Sequence, residues 1–184
     1  MMENFRSEHY QDGSAITTGL GTFLWQTTTT GAYSIYDDNA ANKTAFGLLY
    51  NWHAVNDPRG LCPLGWHVPT DDEWTSLILS IDPVACTSCS PDQSLIAGSD
   101  LKASSSDFPA WNGSNLSGFS GLPGGYRWYF SGGYIGLNVD GYWWTSEQNT
   151  SSTAWFRRLT DTNDSVIRAS NSLNNGQSVR CVRD

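Results

Sequence analysis

The stretch Gly60-Leu-Cys-Pro-Leu-Gly-Trp-His-Val-Pro-Thr-Asp-Asp-Glu-Trp74 constrains the fold more than any other part of the chain. Pro69 ends an extended segment. Thr70 is a good N-cap and Glu73 follows three residues later, so the pair can form a reciprocal capping box. Trp74, Leu77, Ile78 and Ile81 then recur at helical spacing and predict a helix over 71–81. Its counterpart is Ser178-Val-Arg-Cys-Val-Arg-Asp184, which reads as a terminal strand. One cysteine flanks the helix entry and one lies in that strand, which suggests a chain closed on itself near its ends.

The four cysteines, Cys62, Cys86, Cys89 and Cys181, allow three disulfide connectivities. Cys86 and Cys89 are close enough for a local bridge, which leaves Cys62 with Cys181. A link closing about 120 residues stabilises by several kcal/mol in the chain-entropy model. A zinc site would need a second ligand pair, and the spacing of His53 and His67 matches no common finger. A thioredoxin-like role for Cys86-Thr-Ser-Cys89 would need a βαβ context that the sequence does not offer.

A length of 184 residues fits one domain, 1–184. The net charge is −8 and no basic run occurs, so the chain is a poor nucleic-acid binder. Five of the ten basic residues are arginines between Arg157 and Arg183, in the region of the predicted terminal strands. No apolar run approaches the roughly 18 residues that span a bilayer. No signal peptide is visible, and the first residues read as an entry at a domain edge. Nine tryptophans and eight tyrosines suit a loop-rich domain pinned by aromatic anchors, and also an extracellular recognition surface.

Residues 5–36 read as short strands and loops, broken at Asp12-Gly13, Gly19, Gly21 and Gly31. Phe46, Leu49, Tyr50 and Val55 predict a first helix over 44–55. Residues 83–122 form a long irregular stretch with a short helical piece near 95–101. Phe119, Leu122 and Trp111 are its anchors. Gly121–Arg127 is a glycine-rich turn into a strand and not a phosphate loop, because no Lys-Ser/Thr follows. From Tyr126 the pattern is β, with strands near 126–130, 134–137, 141–146, 153–160, 165–170 and 177–182.

Several blocks carry a family resemblance. They are Gly47-Leu-Leu-Tyr-Asn-Trp-His-Ala-Val55, Cys62–Trp74, Leu122-Pro-Gly-Gly-Tyr-Arg127, Tyr142-Trp-Trp-Thr-Ser146, Ala154-Trp-Phe156 and Ser178–Asp184. In this order they resemble the Fibrobacter succinogenes major paralogous domain (FISUMP) over nearly the whole chain, and residues 3–16 look like the start of that domain with its first strand removed. That family is similar to the formylglycine-generating-enzyme branch of the C-type lectin-like fold. The resemblance implies an α+β fold with two helices, a small twisted antiparallel sheet and long irregular loops. It also implies an extracellular, cell-surface or virion-associated protein, and the fold alone does not fix its function.

The formylglycine-generating enzyme needs a reactive cysteine pair after its Gly-Gly turn, and Tyr126–Val179 contains no cysteine. The expectation is therefore a chain with no catalytic residues. His9, His53 and His67 make no facial iron-binding set. Asp71, Asp72 and Glu73 are explained by the helix dipole and capping. Asp37-Asp38 could touch Ca²⁺, but the classical lectin motifs are absent, so no metal or cofactor is expected. The predicted ligand face lies between Tyr142 and Gln177, on Tyr142, Trp143, Trp144, Trp155, Arg157, Asn171 and Asn174. Aromatics among short polar residues give adaptable contacts to a protein or carbohydrate. Two other readings stand beside it, the first implied by the lectin-like branch of the resemblance and fitted by the Asn- and Ser-rich stretch 145–178. One is a retroelement-diversified variable protein of a phage or bacterium. The other is a structural subunit of a pilus, fibre or tail tip.

Overall fold

The computed structural model describes residues 3–184. In chain order the elements are α1 (Thr22–Thr27), β1 (Tyr33–Ser34), a 3-10 turn at Tyr36–Asp38, α2 (Ala40–Phe46), β2 (Leu49–Tyr50) and α3 (Trp52–Val55). They continue with β3 (Trp66–His67), α4 (Asp71–Ile81), β4 (Asp92–Ser94) and α5 (Ala97–Leu101). The last are β5 (Gly124–Arg127), β6 (Tyr134–Leu137), β7 (Asp140–Thr150), β8 (Thr153–Thr160), β9 (Val166–Ser172) and β10 (Val182–Arg183).

This architecture corrects the expectation of two helices on one small antiparallel sheet. Five α-helices are present among the described residues, and the main sheet has six strands in the order β4-β9-β8-β7-β5-β6. It is mixed, because β5 pairs in parallel with β7 at Gly125 and Gly141. Two further sheets, β1-β2 and β10-β3, have two strands each. The predicted helix over 44–55 is broken for a local reason. Gly47 has φ of 84°, and a Cβ there would lie 2.8 Å from the Asn4 side chain. The backbone leaves α2 at this left-handed residue. Leu48 then donates to Phe5 O, and Tyr50 exchanges hydrogen bonds with Gln177. The final strand predicted over 177–182 shortens to β10, since its first residues thread between other elements.

α4 occupies the range its sequence signals predict. Thr70 Oγ1 accepts from Glu73 N, and the Glu73 carboxylate accepts from Thr70 N at 2.8 Å, closing the capping box. Both bridges form as the spacing suggests, Cys62–Cys181 and Cys86–Cys89.

Side chains of β7 alternate across the sheet. Tyr142 and Trp144 enter one core with Tyr50, Trp52, Phe156 and Val179. Trp143 enters the other, with Trp74, Ile78, Leu101 and Leu159. Each indole N–H finds an acceptor, Trp143 on Asn4 Oδ1 and Trp144 on Tyr50 O, both at 2.9 Å. The sheet is thus covered on both faces. Where α4 begins, Arg157 is buried against Asp71 at 2.6 Å and against Gln93 at 2.7 Å. Arg168 bonds the other oxygen of Asp71 at 2.8 Å, so one carboxylate holds two guanidinium groups.

His67 joins β3 to both ends of this region. Its Nδ1 meets Asp184 at 2.6 Å and its Nε2 meets Glu73 at 2.9 Å. The two carboxylates, Asp184 first, raise its pKa above the usual imidazole value. The sign follows from linkage: the stabilisation is fully present below the unfolded value, about 6.5, and is lost as pH rises through the higher folded value. The ring is partly exposed, so solvent screening limits the effect to about 0.5–1 kcal/mol. Urea unfolding should show His67→Gln less stable than the parent by that amount at pH 6, with the gap closing by pH 9.

The two disulfides differ in the loops they close, with separations of 119 and 3 residues. Loop entropy predicts a loss of about 5 kcal/mol for Cys62→Ala/Cys181→Ala and about 2 kcal/mol for Cys86→Ala/Cys89→Ala. Equilibrium denaturation of the two double variants checks that order.

Candidate functional site

Four of the seven residues of the predicted ligand face are interior. Trp143 and Trp144 are fully buried, Tyr142 nearly so, and Arg157 is sealed against Asp71 and Gln93. They cannot meet a ligand in this state, because both faces of the sheet are covered. Trp155 is half-buried and lies over the Arg168 guanidinium at 3.7 Å. Asn171 is half-buried on β9. Asn174 points to another part of the fold. Its Nδ2 donates to Trp25 O at 3.1 Å and Thr28 O at 2.7 Å, fixing the end of α1.

Asn174 therefore leads to a surface that the sequence reading missed. α1 has no side-chain cap and no charged residue, and it is only six residues long. Such a helix is not stable by itself and depends on tertiary anchors. Trp25 is the main one, being fully buried. The Arg127 guanidinium stacks on the Trp25 ring at 4.2 Å. It also donates to Leu20 O at 2.8 Å, just before α1, and to Gly132 O at 3.1 Å. Burial lowers the pKa of Arg127, yet its cation is held by these carbonyls and the two rings it faces, Trp25 and Tyr134.

One residue thus ties α1 to the 128–133 loop. Buried Asn175 adds a second tie by accepting from Tyr129 N at 2.8 Å. Thr22 Oγ1 bonds Ser131 O at 3.3 Å. Gly132 has φ of 66°, and a Cβ there would fall 2.6 Å from Thr22 Oγ1, so the close approach requires glycine.

On this braced base four large apolar side chains face solvent: Phe23 is 72% exposed, Phe130 61%, Leu24 57% and Trp128 39%. The Trp128 and Phe130 rings lie 5.6 Å apart. Beside α1 runs a groove of about 370 Å³, lined by Leu20, Leu24, Thr17 and the threonines at 27–30. α1 stands between the two features, with Thr22 against Ser131 and Gly132 and with Leu24 and Thr27 on the groove. Neither residues 13–36 nor residues 128–139 include a charged side chain. Exposed apolar side chains on two segments joined in this way mark a candidate interaction surface. Another exposed group, Val84, Leu95 and Ile96, carries no aromatic ring and lies beside Asp82 and Asp92.

The titratable candidates lie elsewhere. His53 is half-buried, and burial lowers its pKa. Asp38 accepts from the Tyr134 hydroxyl at 3.1 Å. Among the described residues, no three His, Cys, Asp or Glu side chains are placed to hold a metal ion. Among the same residues, no helix is long and apolar enough to cross a membrane.

The sequence did hold a signal for the shelf. It is the coincidence of two uncharged stretches, each containing adjacent large apolar residues, Phe23-Leu24-Trp25 and Trp128-Tyr129-Phe130. What it could not show is that the two stretches meet.

The chain matches the Fibrobacter succinogenes major domain family over residues 1–183 and belongs to that family. No curated protein and no solved structure matches it.

Proposed function

We propose that this chain is a non-enzymatic extracellular recognition module, and that it binds a neutral glycan on the shelf formed by α1 and the 128–133 loop. The observation that carries the reading is the outward position of Phe23, Leu24, Trp128 and Phe130 on two segments that contain no charged side chain, braced from beneath by the buried Arg127. Most of the aromatic side chains around them are anchored inward.

The chemistry favours a sugar over a charged partner. One face of a pyranose ring is a set of C–H bonds, and these meet the electron-rich face of an aromatic ring favourably. Its hydroxyls need short, uncharged donors and acceptors. The threonines of the neighbouring groove offer these. Binding pockets commonly combine apolar walls with a few placed polar groups in this way. A charged protein surface would find no counter-charge here. Glycoside hydrolysis needs two facing carboxylates, and the two segments that build the shelf contain none. The two disulfides support residence in an oxidising compartment.

A glycan array followed by calorimetric titration tests this. Phe130→Ala and Phe23→Ala should each weaken binding to a neutral glycan at least tenfold. Both residues are exposed, so stability should change by no more than about 0.5 kcal/mol. Trp143→Ala should instead cost about 3–5 kcal/mol of stability, as buried aromatic truncations do. Unchanged glycan affinity in both shelf variants would reject the site. Binding only to proteins would keep a recognition role and reject the glycan.

A further inference from the structure

On the far side of α4 lies a second concavity, of about 220 Å³. It is lined by Trp74 and Leu77 of α4, by Phe119, by Arg180 just before β10 and by Val182 at its start. The walls are apolar, but two of the lining residues carry unsettled polarity.

Arg180 is only 2% exposed. Its guanidinium donates to Asn4 Oδ1 at 3.0 Å, to Phe119 O, and to Ser120 O at 2.6 Å. A guanidinium has five N–H donors, so these three bonds leave two N–H groups unassigned. Among the described residues no carboxylate pairs with it, unlike Arg157 and Arg168, which share Asp71. Burial draws its pKa down to about 9, which still leaves a cation at neutral pH. A buried charge without an ion-pair partner is costly; here the Phe119 ring at 4.1 Å, the three oxygen acceptors and the more distant charge of Glu3 offset part of that cost, as carbonyls and rings do for Arg127. Trp74 is 3% exposed, and its indole N–H has no acceptor. The one carboxylate in the wall, Glu73, is already committed to Thr70 and His67.

We infer that this cavity is a binding site for a small apolar carboxylate, whose anionic end is taken by Arg180 and the Trp74 N–H and whose hydrocarbon part lies against Leu77, Phe119 and Val182. Two buried donors and a cation ask for an acceptor with negative charge. A guanidinium binds a carboxylate through paired charge-assisted hydrogen bonds. The apolar walls ask for a hydrocarbon body. The volume is below the roughly 300–1,000 Å³ of sites for drug-sized ligands, so the ligand is small, on the scale of a phenylacetate or a short fatty acid.

Titration of the full chain with phenylacetate and with hexanoate, followed by the ¹H–¹⁵N signal of the Trp74 indole, tests the assignment. The signal is identified by its loss in Trp74→Phe. Expected is a saturable shift with either acid, and at least tenfold weaker binding of phenylacetamide, which has the same shape without the charge. Leu77→Trp, at a partly exposed position, should fill the cavity and abolish the shift. The inference is overturned if neither acid shifts the signal, if acid and amide bind alike, or if a folded Leu77→Trp variant binds as the parent does. If that variant does not fold, the acid–amide comparison decides alone.

Discussion

The buried run of residues 175–181 is the constraint on which the rest of the structure depends. It has no room for a regular strand because its residues are claimed by different neighbours. Gln177 exchanges backbone hydrogen bonds with Tyr50, Ser178 N bonds Tyr142 O, and Ser178 O accepts from Trp144 N. Val179 O accepts from Phe5 N, and Cys181 is bridged to Cys62. Asn4 adds side-chain bonds to Ser178, Arg180 and Trp143. Beginning, middle and end of the chain are thus joined along one path. Backbone groups buried there need such partners. Many of these contacts are of long sequence range, so the disulfide, by limiting the unfolded ensemble, acts where loop closure is most costly.

That core decides which aromatics are free to act. Trp143 and Trp144 are adjacent in sequence, point to opposite faces, and are both sealed. Phe23, Trp128 and Phe130 sit on segments that the core braces but does not cover. The brace is polar: Arg127, Asn174 and Asn175 bond to backbone groups of α1, the residues flanking it and the 128–133 loop. Side chains presented on a fixed base lose little freedom on binding, which is the condition for useful affinity from a small contact.

Parts of this are legible in the sequence. Thr70 and Glu73 mark the start of α4 because capping is local chemistry. The β pattern over 141–146 reads correctly as part of a strand, and the spacing of Cys86 and Cys89 resolves the disulfide pairing. The illegible parts are those set by distant neighbours. Gly47 breaks a helical pattern because Asn4 and Phe5 approach it from elsewhere in the chain. α1 has no cap and too few residues to show a period, and Trp25 is helical only because Arg127 and Asn174 hold it. Sequence pattern puts the ligand face on Trp143 and Trp144, which are buried, for a related reason. Alternation shows that two side chains point apart, but not that both faces of the sheet are covered.

The central claim is that the shelf, and not the β7–β9 face, meets the ligand. Amide hydrogen exchange of the full chain, with and without a saturating neutral oligosaccharide chosen from the array, tests it most directly. Binding on the shelf should slow exchange at residues 17–30 and 128–134 alone, with no change over 142–172. Protection centred on Trp155 and Asn171, with none in α1 or the 128–133 loop, would contradict it.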